Sequence, residues 1–552
     1  MLIFEDYLEK ISEVLGRTFP DYTPSDLGVD STGHADVVFR TFRMMKKSGI
    51  AEGILLSRIR EAFSNADYLE SIESAGGYVN FLIKPSAMIS IIVEQVTQQG
   101  RFPDTFQDPE RVSIEHTSAN PTGPIHIGRT RNSIIGDSLF RLLSRFGYRV
   151  TTQYFVNDSG RQVASLYLGY LKYDHSYKPT VNSLWKAYQM IHKDLEENPS
   201  VESEVNDIMR RYEDGDPELL SGVKMVSSVI IESIMNSLSR IGIKIDDFTW
   251  ESDLVQNKDI EKVLDLLEQH VQSEGKAKFI VLDGKKVFLT RDDGTSLYFA
   301  RDIAYHIYKF QYYDWCITVL GENHKDYSKH IYSVFKDILG YEQKIDFVFY
   351  SYVSLESGKM ATRKGVAALL DELIERAIEE SYRVVKEKRP ELPEERLRDI
   401  AEAVGISAIR FHIIKLNANK QIVFRWSEAL DLEGDTAPFI MYSYARSSSI
   451  LKKAGDLGGN IADEYDDTER NLIRKMYLYG NVLKESVKNL KPETVANYLL
   501  DLTRKFNDFY TKCPVLTAED DVRRRRILLV NTYREIVKDA SAIVGLRVLE
   551  EM

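Results

Sequence analysis

The stretch from Arg111 to Asp158 constrains this chain more than any other. "VSIEH" has an alternating pattern, and "NSIIGDSLFRLLSRFG" places Ile135, Leu139, Leu142 and Phe146 on one helical face before stopping at Gly147. "YRVTTQYFVND" then alternates again. Strand, helix and strand within about 45 residues make a crossover unit, which implies a parallel sheet of doubly wound type. In such sheets ligands bind beyond the carboxyl ends of the strands. The turn between the first strand and the helix reads "PTGPIHIGRTRN".

The rest of the chain arranges itself around that unit. Residues 1–108 read as a small α+β domain with an opening helix, a second helix over "VVFRTFRMMKKSG" and a strand in "GGYVNFLIK". The polar stretch "QQGRFPDTFQDPER" reads as a linker. The sheet domain runs over 109–365, with a helical insertion at about 165–240. "KFIVLDGKKVFLTRDDGTSLYF" is a meander turning at Asp283-Gly284, and "DWCITVLG" and "DFVFYSYV" return to buried-strand character. A helical connection over 366–430 leads to an all-α region at 431–552.

Composition narrows the function classes. At 552 residues the chain is long enough for several cores, and no apolar run approaches the ~18 residues of a membrane span. The first residues form an acidic amphipathic pattern and not a signal peptide, so a cytoplasmic location is expected. Cys316 and Cys513 lack the spacing of a disulfide framework or zinc site, and no bound metal is expected from them. A net charge of −12 argues against a general nucleic-acid coat. From Asn471 to Met552, however, 15 Lys/Arg stand against 11 Asp/Glu, with Arg523–Arg526 in one run.

The turn and one later loop carry the chemistry. "PTGPIHIGRTRN" matches neither glycine-rich phosphate loop, so side chains must supply what a backbone cradle would. His126 and Arg129 present cationic or hydrogen-donating groups, Gly128 permits close approach of a nucleotide, and the helix N-terminus favours anions. "ESGKMATRKG", residues 356–365, surrounds Met360 with Lys359, Arg363 and Lys364 in a flexible basic loop suited to clamping phosphate.

In this order the two stretches resemble the HIGH and KMSKS signatures of class I aminoacyl-tRNA synthetases. "EHTSANPTGPIHIGRTRNSIIGDSL", "YFVNDSGRQ", "IDDFTWES", "LYFARDIAYHIYKF", "LDLEGDTAPFIMYSYARSSSI" and "KFNDFYTKCPVL" narrow the resemblance to the arginyl-tRNA synthetase family. It spans nearly the whole chain, the stretch at about 165–240 excepted. The resemblance implies a Rossmann-like catalytic domain, an N-terminal added tRNA-binding domain and a C-terminal anticodon-binding domain. It also implies an arginine–tRNA ligase that uses ATP with Mg²⁺, L-arginine and tRNA(Arg), works as a monomer, and activates arginine only with tRNA bound.

Residue by residue, the resemblance assigns His126, Arg129, Lys359, Arg363 and Lys364 to catalysis. Gly123, His126, Gly128, Arg129 and Met360 fall to ATP. Glu115, Asn120, Asp158, Glu251, Tyr298, Asp302 and His324 fall to arginine, and Tyr442, Tyr444 and Arg446 to tRNA. Physical chemistry agrees on the substrate, since a guanidinium fork calls for carboxylates in bidentate reach, here Asp302 and Glu251. Two positions depart from the family pattern. Arg129 replaces the last histidine of HIGH, and Thr362 replaces the second lysine of KMSKS. The compensating lysine that some relatives carry three residues before His126 is Gly123 here. Alternative readings are a non-catalytic tRNA-binding paralogue and another HIGH-type nucleotidyltransferase.

Overall fold

The computed structural model describes residues 5–29, 35–98, 109–355, 369–429, 431, 434–455 and 464–552. The chain divides into two compact units: Met1–Gln107 with Leu432–Ala542 and Arg547–Met552, and Asp108–Asp431 with Ile543–Leu546.

The first unit joins the two ends of the chain. Its antiparallel sheet contains β1 (Leu27–Val29), β2 (Val37–Arg40), β3 (Leu69–Ala75) and β4 (Tyr78–Ile83) in the order β1-β2-β4-β3. Gly76 and Gly77, both at positive φ, turn β3 into β4. "VVFR" is strand β2 and not the start of a helix; only Phe42–Ser48 is helical. Val37 and Phe39 are buried while Arg40 is exposed, and the β-branched pair Val37-Val38 lies against Phe81 and Asn80 of β4. Helices Ala437–Ala454, Asp467–Tyr477, Tyr479–Asn489, Glu493–Lys512 and Asp520–Val544 complete the unit. Helix Asp467–Tyr477 packs on Pro85–Gln98. Arg474 bonds Asp36 at 3.1 Å and Arg470 bonds Glu70 at 2.7 Å.

The second unit contains the expected crossover. β5 (Arg111–Glu115), the helix Ile127–Phe146 and β6 (Arg149–Val156) follow one another, and Gly147 ends the helix at φ 106. Four helices between Arg161 and Arg240 separate β6 from β7 (Asp247–Trp250). β8 (Gln272–Glu274), β9 (Ala277–Leu282) and β10 (Lys285–Phe288) form the meander, with Asp283 and Gly284 both at positive φ in the hairpin turn. β11 (Trp315–Gly321) and β12 (Lys344–Tyr350) complete a parallel sheet of order β12-β11-β5-β6-β7. Two short strands, β13 (Val353–Leu355) and β14 (Ile422–Phe424), pair in parallel beside it. Strand order reverses at β5, between β11 and β6, and that is where a crevice opens in such sheets.

Helix Ile127–Phe146 lies so close to β5 that a Cβ built on Gly136 would come within 2.3 Å of the buried His116 ring. Helix propensity alone favours alanine there by about 1 kcal/mol, whereas overpacking costs about 1–3 kcal/mol. Gly136→Ala is therefore expected to lower the thermal midpoint; a raised midpoint would mean that the helix and β5 are not packed in this way.

Candidate active site

The crevice begins with a strained turn. After β5, Thr117 and Ser118 adopt φ values of 70° and 32°, a region that non-glycine residues enter at a cost of about 1–3 kcal/mol each. The surroundings hold them there. Asn132 accepts from the Thr117 N–H at 2.8 Å and donates to the Val319 carbonyl of β11 at 3.0 Å. The Thr117 hydroxyl meets Ser133 Oγ at 2.8 Å and His116 Nδ1 at 2.9 Å. One side chain of the signature helix thus ties the tip of β5 to β11.

Arg131, the residue preceding Asn132, is fully buried. It donates to the carbonyls of Ser351 and Lys420 at 2.6 Å and of Asn417 at 2.9 Å. These carbonyls flank β13 and β14, so the guanidinium fixes the root of the chain leading into the basic loop. Neither Arg131 nor Asn132 was singled out from the sequence, although both lie in the quoted turn. Their signal is the unbroken burial from Thr130 to Leu139, which apolar periodicity does not show.

His126 is the N-cap residue of the helix, in extended backbone, and its carbonyl accepts from the Arg129 N–H at 2.9 Å. Burial, and then the Arg129 charge, push its imidazole down to about 4, so it is neutral at pH 7 and acts as a donor or acceptor, not as a cation. Arg129 is exposed and makes no side-chain hydrogen bond or ion pair among the described residues. His324, just past β11, is lowered by burial and by the same Arg129 charge. Its ring also meets Tyr327 edge-on at 6.2 Å. The fold therefore gathers His126, Arg129 and His324 at one end of the crevice. Gly123 lies under the insertion: a Cβ there would come within 2.9 Å of the Trp185 ring, so a lysine at this position would displace the indole.

The carboxylates line the other end. Glu115 accepts from Lys309 at 3.2 Å and from Ser118 at 3.2 Å. Lys309 is fully buried and lies 4.2 Å from the centre of the Tyr305 ring. Asn120 donates to Gln162 at 2.6 Å and accepts from Asn157 at 3.3 Å. Asp302 accepts from the Tyr327 hydroxyl. Burial lifts its carboxyl to about 7, with Glu115 and Glu251 adding to the rise and Tyr327 and Lys309 opposing it. Tyr298, one turn before Asp302 on helix Tyr298–Phe310, is 60% exposed, with its hydroxyl beside Gly160.

Two expectations need correction. Asp158 does not open into the crevice: it is buried, accepting from Tyr212 at 2.7 Å and from the Ser252 hydroxyl and N–H at 2.6 and 2.9 Å. It ties the insertion to helix Glu251–Gln256. Glu251, expected to grip the substrate guanidinium with Asp302, already accepts from Arg301 at 3.1 Å and from Ser159 at 2.5 Å. Arg301, Lys309 and Tyr327 had not been singled out, since a charged residue on a helix reads as solvated unless its distant partner is known. Lys359, Met360, Arg363 and Lys364 lie outside the described residues, as does Thr362.

In the other unit, Tyr442 and Arg446 share a helical face and Tyr444 does not. Tyr442 is 49% exposed, whereas Tyr444 is 3% exposed and belongs to the core. Residues four apart align on a helix and residues two apart diverge by about 200°. Tyr444 is thereby removed from the RNA-contacting set. The Arg446 guanidinium lies 4.8 Å from the Tyr442 ring centre and 4.4 Å from that of Tyr510, which is also exposed. The run Arg523–Arg526 is not a free basic patch either. Arg525 and Arg526 both donate to the buried Glu469, at 2.9 and 2.8 Å, and Arg523 pairs with Asp520.

Comparison with known proteins agrees with this geometry. Residues 91–426 match the family "tRNA synthetases class I (R), catalytic domain", and residues 440–552 match the "DALR anticodon binding domain". The chain is 45% identical to the arginine–tRNA ligase of Thermoplasma acidophilum, and 35% identical to that of Archaeoglobus fulgidus, with 100% of each chain covered in both comparisons. The solved arginyl-tRNA synthetase of Thermus thermophilus superposes with a TM-score of 0.84 at 26% identity, over 99% of this chain and 100% of that one. With a parallel sheet, a HIGH-like helix entrance and both family regions in order, the chain belongs to the arginyl-tRNA synthetases of class I.

Proposed function

We propose the following division of labour for an enzyme that joins arginine to tRNA. An oxygen of the arginine carboxylate attacks the α-phosphorus of ATP, the bond to the β-phosphate oxygen breaks, and pyrophosphate leaves. A hydroxyl of the terminal tRNA ribose then attacks the carbonyl carbon of arginyl-adenylate, and AMP departs. No covalent enzyme intermediate is needed; positioning and stabilisation of phosphate charge do the chemistry.

Arg129 supplies permanent positive charge at the phosphates, with neutral His126 donating a hydrogen bond and Gly128 allowing close approach. Gly123 and Met360 also belong to the ATP side, and Lys359, Arg363 and Lys364 bring further cations. Magnesium enters with ATP, where it neutralises phosphate oxygens; among the described residues no group of three His, Cys, Asp or Glu side chains could hold a metal ion. Asp302 reads the arginine guanidinium beside Tyr298, Asn120 and Glu115 orient the amino-acid end, and His324 lies between the two substrates. Asp158 and Glu251 build the wall behind them. Tyr442, Arg446 and Tyr510 are the surface that stacks on unpaired tRNA bases. The domains run over 1–108, 109–365, 366–430 and 431–552. The enzyme works as a cytoplasmic monomer, and no helix of the described residues is long and apolar enough to cross a membrane.

The observation that carries this reading is an exposed Arg129 acting on both His126 and His324, while Asp302, bonded to Tyr327, lies in the field of Glu115 and Glu251. ATP–pyrophosphate exchange with arginine, with and without tRNA, tests it. Arginine-dependent exchange is expected in the presence of tRNA, and its absence in both conditions would leave a tRNA-binding paralogue.

Binding of a guanidinium requires ionised Asp302. The raised carboxyl pKa means that the competent form is lost as pH falls through about 7. The arginine KM should therefore rise below neutrality, approaching about tenfold per pH unit, with the ATP KM nearly level. Asp302→Asn should cost about 2–5 kcal/mol in arginine kcat/KM and abolish that pH dependence. Equal losses for ATP and arginine would place Asp302 elsewhere.

Arg129→His restores the family residue but removes a permanent charge. Its kcat should fall by at least about tenfold. Gly123→Lys should not rescue it, because Trp185 occupies the space; full activity in the single variant would assign the charge to the basic loop. Arg446→Ala should raise the tRNA KM several-fold while leaving arginine-dependent exchange at saturating tRNA unchanged, and an unaltered tRNA KM would remove this face from RNA binding.

A further inference from the structure

Two carboxylates of the arginine pocket already have resident cations. Lys309 neutralises Glu115, and Arg301 neutralises Glu251. Arg301 is the more completely held. Its Nη1 donates to Glu251 at 3.1 Å and to Ser159 Oγ at 2.5 Å. Its Nη2 donates to Glu213 at 3.0 Å and to the Ser296 carbonyl at 3.1 Å, and its Nε donates to Ser296 Oγ at 2.8 Å. A guanidinium has five N–H donors, and all five are used. Arg301 is 4% exposed, directly precedes Asp302, and has the same chemistry as the substrate side chain.

Glu213 makes the arrangement more than a local ion pair. It ends the insertion helix Pro199–Glu213, and the preceding residue, Tyr212, holds Asp158. Consecutive residues of the insertion therefore bond Asp158 and Arg301 in turn. Arg291 and Asp293 also act on Glu213, in opposite senses. The groups acting on Asp302 itself are Tyr327, Glu115, Lys309 and Glu251.

We infer that Arg301 is a specificity-determining positioning residue. By compensating Glu251 it leaves Asp302 as the one carboxylate, among these described residues, that faces the substrate without a resident cation. Through Glu213 it makes that charge balance depend on the helical insertion. Asp302 then meets the substrate guanidinium as the carboxylate with no arginine of its own. Glu251 already opposes ionisation of Asp302; without Arg301 it would do so more strongly, and Asp302 would keep its proton to higher pH and bind arginine worse at neutrality.

This inference rests on Asp302 as the reader of the guanidinium, and three variants separate the two ideas. The pH midpoint of the arginine KM should shift upward by about one unit in Arg301→Gln, with the arginine KM at pH 7 rising about fivefold and the ATP KM changing less than about twofold. Arg301→Lys keeps the charge and should keep the midpoint. Glu213→Gln removes a competitor for the Arg301 charge and should move the midpoint downward. A merely structural arginine would not produce shifts of opposite sign in Arg301→Gln and Glu213→Gln. A wild-type midpoint in Arg301→Gln overturns the inference. Should that variant fail to fold, an unmoved or raised midpoint in Glu213→Gln does so. If Asp302→Asn leaves the arginine KM unchanged, the reading of the pocket fails first.

Discussion

The peptide between His116 and Thr117 is the point on which the catalytic unit turns. Its N–H goes to Asn132, whose other end reaches the β11 carbonyl at Val319. Three elements distant in sequence are thereby set at fixed spacing where strand order reverses. A strained turn at this place costs stability, and the buried hydrogen bonds around it offset that cost. The alternative, a relaxed turn, would let the β5 tip drift relative to the helix N-terminus, and Asn120 and His126 would no longer face one substrate.

Electrostatics then divides the crevice. His126 and His324 are both kept neutral by burial beside Arg129, so permanent charge there belongs to Arg129. A neutral imidazole can give a hydrogen bond without adding repulsion between like charges. Around the carboxylates the pattern inverts: Lys309 and Arg301 hold Glu115 and Glu251, and in the proposed reading Asp302 is left for the substrate.

How much of this was legible in the sequence depends on the range of the interaction. The β5–helix–β6 crossover was readable because its periodicity and its glycine stop lie within one local window. The Asp283-Gly284 hairpin was readable for the same reason, since both residues must take positive φ. Strand β2 was misread because a short "VVFR" has no period of its own; pairing with β4 decides it. Arg131, Arg301 and Lys309 were passed over because their acceptors lie in distant segments, and without those a charged side chain belongs in water. Tyr444 was grouped with Tyr442 by sequence neighbourhood, although a helix sends the two apart. The run at Arg523–Arg526 shows its charge in the sequence but not its partner: Arg525 and Arg526 turn to the buried Glu469 of helix Asp467–Tyr477.

The union of both chain ends in one unit has a consequence for how the molecule is made. Glu70 and Arg470, bonded to each other there, are 400 residues apart. At synthesis rates of about 5–20 residues per second, the N-terminal sheet waits on the order of 20–80 s for the helices that cover it. Throughout that interval the surface destined for helix Asp467–Tyr477 is open to water and to other nascent chains. The full-length fold thus carries a period of vulnerability on the ribosome, lasting until its own C-terminal helices emerge.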